Sequence, residues 1–234
     1  MMSILRVMSY ALNRSSAVEA EGTAQLIRAQ RPELVFLQHL PEYLLEILAK
    51  ETGLNAYATQ GSCGFLSHHP LSALQPICLG SDGTCLRADL DLVGKRVHLF
   101  NVQLAMDPSQ RGQQIARLFA EDLLGAGLPC ATLVAGDFSL PLWGGGQWLL
   151  RRRLKLVRHP VWGANYPAAF PLWPRDRFYL RGPIRSLAGQ VVTASGLRSG
   201  SAHLPVITTL ELTDTRVYLK LPDVSKQRMR AVAG

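Results

Sequence analysis

Residues 132–139 read TLVAGDFS: an apolar run, a small pair, then Asp137 and an aromatic residue. A short apolar stretch bounded by glycine reads as a buried strand, and this one ends by delivering a carboxylate to the edge of a sheet. The same texture recurs at ELVFLQ (33–38), with helical patterns on either side. A helix is expected over about 17–30, after the serines of NRSS that can cap it, and Arg31-Pro32 closes it. A second is expected over 41–53, with proline in its first turn and glycine at its end. The chain therefore opens as strand, helix, strand, helix.

Past residue 60 the texture changes to short apolar stretches separated by Gly, Pro, Ser and Asp, the pattern of antiparallel hairpins. One turn is expected at Ser81-Asp82, which sets Cys78 opposite Cys85, and a second at Val93-Gly94-Lys95. DPSQRGQQIARLFAEDLLGAG (107–127) reads as a helix with one buried stripe at 115, 118, 119, 123 and 124. After the strand that ends at Asp137 come a loop and short basic helix in LWGGGQWLLRRRL, then the proline- and aromatic-rich HPVWGANYPAAFPLWPRDRFYLRG. Two strand-like stretches, GQVVTAS and LPVITTLEL, follow. VWGANYPAAFPLW is the best candidate for an apolar surface patch, the alternative being aromatic packing under a long loop.

A hydrophobic fraction of 47% over 234 residues supports a substantial core. No apolar stretch approaches the roughly 20 residues of a membrane span, and the start of the chain lacks the pattern of a secretory leader, so a cytoplasmic location is expected. Cys63, Cys78, Cys85 and Cys130 contain no Cys-x-x-Cys pair and no histidine at zinc-ligand spacing, and read as free thiols. The formal charge of +8 points toward anionic partners without choosing among them. Part of the excess lies in Arg151, Arg152, Arg153, Lys155 and Arg158, a candidate anion-binding cluster whose plainer reading is a solvated face. Residues 1–215 read as one domain, and 216–234 as a basic, flexible tail without core periodicity.

In chain order the strand ends present MSYAL, FLQHL, FNVQL, AGDFS, RDRFYL and GSAHLPV. The set resembles the endonuclease/exonuclease/phosphatase superfamily over about residues 4–212, and most of all a bacterial branch of it. The resemblance implies an α/β fold, a four-layer α/β/β/α sandwich with two mixed sheets face to face and helices outside. Active members typically carry SYN, LQE, THL or VHL, GDFN, RID or LDR, and SDH at these places. There the glutamate of LQE and the aspartate of SDH help hold Mg²⁺ or Mn²⁺. By the same resemblance Asp137 orients the attacking water, His203 meets the phosphate and Asp176 holds His203. These side chains, with Ala11, His39, Ser139 and Ala202, should then line one cleft, Asp176 within hydrogen-bond reach of His203.

Five positions depart from the family pattern: Ala11 for asparagine, His39 for the metal-binding glutamate, Gln103 for histidine, Ser139 for asparagine and Ala202 for aspartate. Magnesium is held by one or two carboxylates with waters and phosphate oxygens, so His39 and Asp137 are what remains of the metal end. Losing one positioned acid-base or oxyanion-stabilising group costs on the order of a hundredfold to ten-thousandfold in rate. The expectation is a catalytically impaired family member, a pseudoenzyme without cofactor. It would bind an anionic ligand (nucleic acid, a phospholipid headgroup or a phosphorylated small molecule) or a protein partner. The alternative is an active metal-dependent phosphodiesterase or phosphatase acting on nucleic acid or phospholipid. That enzyme would use Mg²⁺ or Mn²⁺, or zinc on His39, Asp137 and His203, or a replacement ligand such as Asn13. His68 and His69 are adjacent on a strand end, where neighbouring side chains diverge, and are not read as ligands.

Overall fold

The computed structural model describes residues 3–12, 19–120, 123–124, 130–140, 145–157, 163–193 and 201–213. Asn13, Arg158 and the tail 216–234 lie outside them. One sheet runs in the order β11-β12-β1-β2-β4-β3, built from β1 (Ser3–Ala11), β2 (Leu34–Gln38), β3 (Asn55–Ala58), β4 (Gly64–Ser67), β11 (Ile184–Val191) and β12 (Val206–Leu212). The other runs β5-β6-β7-β8-β10-β9, built from β5 (Leu71–Gly80), β6 (Gly83–Leu92), β7 (Lys95–Gln103), β8 (Ala131–Asp137), β9 (Lys155–Leu156) and β10 (Asp176–Arg181). Their inner faces meet in a core of Leu5, Val7, Phe36 and Phe65 from the first sheet against Ala88, Leu99, Leu133 and Phe178 from the second.

The outer faces are equally apolar and each is covered by helices. Met8, Val35, Leu37 and Ile207 pack under α1 (Glu19–Gln30) and α2 (Leu44–Thr52). Phe100, Val102, Val134 and Tyr179 pack under α3 (Pro108–Leu118) and α4 (Gly145–Arg153). Burial on both faces explains why β2 and β8 are apolar runs and not alternating ones. The result is the four-layer α/β/β/α sandwich.

Helix boundaries follow local chemistry. Asp107 caps α3 by accepting the Gln110 N–H at 2.9 Å, with proline at the first turn. Gly53 ends α2 at φ 71°, a left-handed conformation that suits glycine. Three expectations need correction. The 107–127 helix closes at Leu118, where the Phe119 N–H turns back onto the Ile115 and Ala116 carbonyls; Leu123 and Leu124 are buried beyond its end. The strand placed at GQVVTAS begins at Ile184, since the ladder to β12 starts at the Leu212 end. Cys78 faces Thr84, and Cys85 faces Ile77. The Ser81-Asp82 turn is as expected, but the register shifts between Cys78 and Gly80, so Leu79 is the extra residue of a bulge and the cysteines slip past each other. All four cysteines are free.

Topology gathers the strand ends. β1–β2 and β7–β8 are parallel pairs, each joined by a helix, so the carboxyl ends of all four strands lie on one edge. The antiparallel partners bring their amino ends there: Asp176 pairs with Asp137, and Val206 pairs with Ser9. His203, just ahead of β12, is carried to the same edge. No helix among the described residues is long and apolar enough to cross a membrane.

Candidate functional site

Two strands end at this edge with residues in the left-handed region. His39, directly after β2, has φ 51°, and Ser139, after β8, has φ 47°. Non-glycine residues seldom adopt this backbone, which turns each chain sharply across the sheet edge. At β8 the turn brings the Ser139 N–H to 2.8 Å and its Oγ to 3.1 Å from Asp137 Oδ1. At β2 it carries the His39 ring over the same carboxylate, with Nε2 3.1 Å from Asp137 Oδ2. Gln103 fixes that turn: its Oε1 accepts the His39 N–H at 2.8 Å and the Ser62 hydroxyl at 2.9 Å.

His203 completes the group. Its Nδ1 lies 2.6 Å from Asp176 Oδ2, and its Nε2 lies 4.0 Å from Asp137 Oδ2. Asp137, Asp176 and His203 are all buried. Burial alone would raise the Asp137 pKa, but the His39 hydrogen bond and the positive charges of His203, His39 and Arg175 outweigh it and hold the carboxyl below its usual range. For His203, burial pulls the pKa down, while the charge and hydrogen bond of Asp176 and the charge of Asp137 lift it above the ordinary value against Arg175.

Asn165, a residue that the sequence did not single out, locks the pair. Its Nδ2 donates to Asp176 Oδ2 and to the Leu204 carbonyl, and its Oδ1 accepts the Arg175 and Asp176 backbone N–H groups. Arg175 stacks over the Tyr166 ring at 4.0 Å, and Tyr166 lies against His203 with ring centroids 4.8 Å apart. Beneath His39, Asn101 bonds Gln38 at 2.6 Å and caps the Leu37 and Gly64 carbonyls. No residue pattern announces these amides, because their partners are mostly backbone groups remote in sequence.

Of the positions named from sequence, Ala11 reaches the site through its carbonyl, which accepts the Ser201 hydroxyl at 2.7 Å; Ser201 Oγ in turn accepts the His203 N–H at 3.0 Å. The Ala202 carbonyl accepts the Ala168 N–H. The described members of the basic cluster are not brought to this edge. Arg151, Arg152 and Arg153 are exposed at the far end of α4, and Lys155 pairs with Leu180, four residues down β10 from Asp176. At ~3.3 Å per residue that is about 13 Å from the edge.

A hard divalent cation needs oxygen lone pairs at about 2.0–2.6 Å. Here Asp137 Oδ1 accepts the Ser139 N–H and hydroxyl, Asp137 Oδ2 lies 3.1 Å from His39 Nε2, and the residue before His203 is Ala202, which offers no ligand atom on its side chain. Among the described residues no group of three or more His, Cys, Asp or Glu side chains is arranged to hold an ion. The donor set as it stands does not fit magnesium; it fits a carboxylate held in contact with an imidazole.

The fold is a double-sheet sandwich with an Asp–His pair at converging strand ends. The model of the endonuclease/exonuclease/phosphatase family matches residues 13–203, and the chain belongs to that family. Among solved structures it is similar to an endonuclease/exonuclease/phosphatase from Bacteroides vulgatus, with 12% identity and a TM-score of 0.74 over 89% of this chain and 99% of that one. It is also similar to D. rerio TDP2 in complex with a single-strand DNA product, with 16% identity and a TM-score of 0.71 over 89% and 99%. No curated protein matches the sequence.

Proposed function

We propose that this family member binds a phosphate-bearing ligand at the Asp137–His203–Asp176 edge without performing the metal-dependent hydrolysis typical of its relatives. The observation that carries the reading is the 3.1 Å contact between His39 Nε2 and Asp137 Oδ2. His39 stands where the resemblance places a metal-binding glutamate, and its ring nitrogen lies against the oxygen that a cation would take. An imidazole ring cannot gather and activate water as a metal ion does, and so leaves no activated nucleophile. His203 keeps Asp176 on Nδ1, which leaves Nε2 as the donor for a phosphate oxygen, with Arg175 beside it.

Calorimetric titration with Mg²⁺, Mn²⁺ and Zn²⁺ tests this, together with hydrolysis of bis-p-nitrophenyl phosphate. No saturable heat and no metal-dependent rate are expected, while the soluble diester should perturb the His203 ring resonances. A metal-dependent rate that disappears in Asp137→Asn protein overturns the reading in favour of an active phosphodiesterase. The intact Asp176–His203 hydrogen bond, at 2.6 Å, is the observation that favours that second reading.

A further inference from the structure

Residues 167–174 read PAAFPLWP, eight positions without a charge and with a single polar side-chain atom, the Trp173 indole nitrogen. A segment of this kind would ordinarily fold its apolar side chains inward. Instead Phe170 is 70% exposed, Leu172 46% and Trp173 46%. The exposure is built in, because the backbone beneath is closed by hydrogen bonds. Leu172 and Trp173 donate to the Tyr166 carbonyl at 3.0 and 2.8 Å, Tyr166 donates back to the Trp173 carbonyl at 3.0 Å, and Phe170 N–H closes a turn onto Pro167 at 3.1 Å. The Ala168 N–H bonds the Ala202 carbonyl at 2.8 Å, which ties the loop to the residue preceding His203. At its base Arg175 lies over Tyr166 and, among the described residues, has no carboxylate ion-pair partner. Met106, 66% exposed, lies on the loop that leaves β7 at the same edge.

We infer that the 166–174 loop is a preformed wedge for the surface of an anionic phospholipid bilayer, with Arg175 at its base meeting the lipid phosphates. The inference rests on the phosphate-binding reading of the cleft and names its ligand. A rigid apolar tip flanked by a cation is what an interfacial site requires: the apolar area enters the acyl boundary while the charge stays at the phosphate level. The chain's charge of +8 complements an anionic surface. Single-stranded nucleic acid asks for flat rings interleaved with cations. Phe170 and Trp173 could serve as such rings beside Arg175, but the exposed aliphatic side chains of Leu172 and Met106 would gain nothing from it, whereas a bilayer takes up all four.

The experiment is vesicle flotation of the full chain, with phosphatidylcholine alone and with a phosphatidylcholine–phosphatidylglycerol mixture. Wild type should float with the mixed vesicles, and Phe170→Ser/Trp173→Ser protein should bind them roughly tenfold or more weakly, with an unchanged melting temperature because both side chains are exposed. Acyl-brominated lipid should quench tryptophan fluorescence, and part of that quenching should vanish in Trp173→Phe protein. Equal flotation of wild type and double variant, or no flotation of wild type, overturns the inference. So does a double variant that loses affinity only for a single-stranded oligonucleotide or for a protein partner. The two readings separate through His203→Ala: soluble-diester binding that survives it removes the phosphate site, while flotation that still depends on Phe170 and Trp173 keeps the wedge.

Discussion

Asn165 shows how much of this site depends on one buried amide. It joins three pieces of chain, its own loop, the start of β10 and the segment carrying His203. Asn165→Leu keeps the volume and removes every partner, so urea unfolding should report a loss of about 1–3 kcal/mol or more from the stranded buried groups. Asp176 gives a pH test. Because the His203 pKa is raised in the folded protein, its stabilisation is fully present below the unfolded value of about 6.5 and is lost as pH rises through the folded one. The melting-temperature gap between wild type and Asp176→Asn should therefore be widest in mildly acidic buffer and narrow toward alkaline pH; a constant gap would mean that His203 is not charged there. His39→Glu, alone or with Ala202→Asp, replaces imidazole and methyl by hard oxygen ligands, and calorimetry should then detect tighter Mg²⁺ binding than in wild type. Asp137 was legible in the sequence as a polar residue at the end of an apolar run, Asp176 and His203 only through the likeness of RDRFYL and GSAHLPV to the family's motifs. Asn165 was not: its partner carbonyl at Leu204 lies 39 positions away in an irregular stretch.

At the scale of elements, β8 delivers Asp137 only because Gly136 precedes it. Gly136 has φ 140°, and a Cβ there would stand 1.9 Å from the Val102 carbonyl oxygen of the neighbouring strand. Gly136→Ala should cost about 3 kcal/mol or more, from backbone strain and a clash that backbone cannot relieve. Denaturant unfolding checks it, and a shift within a few tenths would show that β7 and β8 slide apart easily. Further along the second sheet, Asp89 and His98 form a buried pair at 2.7 Å across β6 and β7. Burial opposes ionisation of Asp89, but the bond and charge of His98, with Arg87 and Arg96, hold its pKa below the usual value. That stabilisation is present above about pH 4 and disappears as pH falls through the depressed folded value, so Asp89→Asn should flatten the acid limb of the stability curve. Strand and helix types were readable from periodicity; their ends were less so. The Leu79 bulge, the early close of α3 at Leu118 and the start of β11 at Ile184 are set by pairing with chain that a local window does not contain.

For the whole molecule, the two sheets share one apolar interior, to which β1, β2, β4 and β12 contribute on one side and β6, β7, β8 and β10 on the other. Calorimetry should record a single transition, and Leu99→Ala, in the middle of that interior, should destabilise both sheets together by about 2–5 kcal/mol. Separate melting of probes on the two sheets would contradict a common core. The six-landmark pattern captured this architecture because each landmark marks a strand end, and strand ends are where topology and sequence coincide. One feature of the first sheet bears on how the molecule is made. β1, made long before β12, lies between β2 and β12, and its pairing runs from Ser3↔Leu212 to Ser9↔Val206. During vectorial synthesis that strand waits with an open, apolar edge until β12 has emerged, a template for other chains in the meantime. Nascent chains stalled before residue 206 should therefore need holdase protection and aggregate without it, whereas chains released past Leu212 should close the edge themselves.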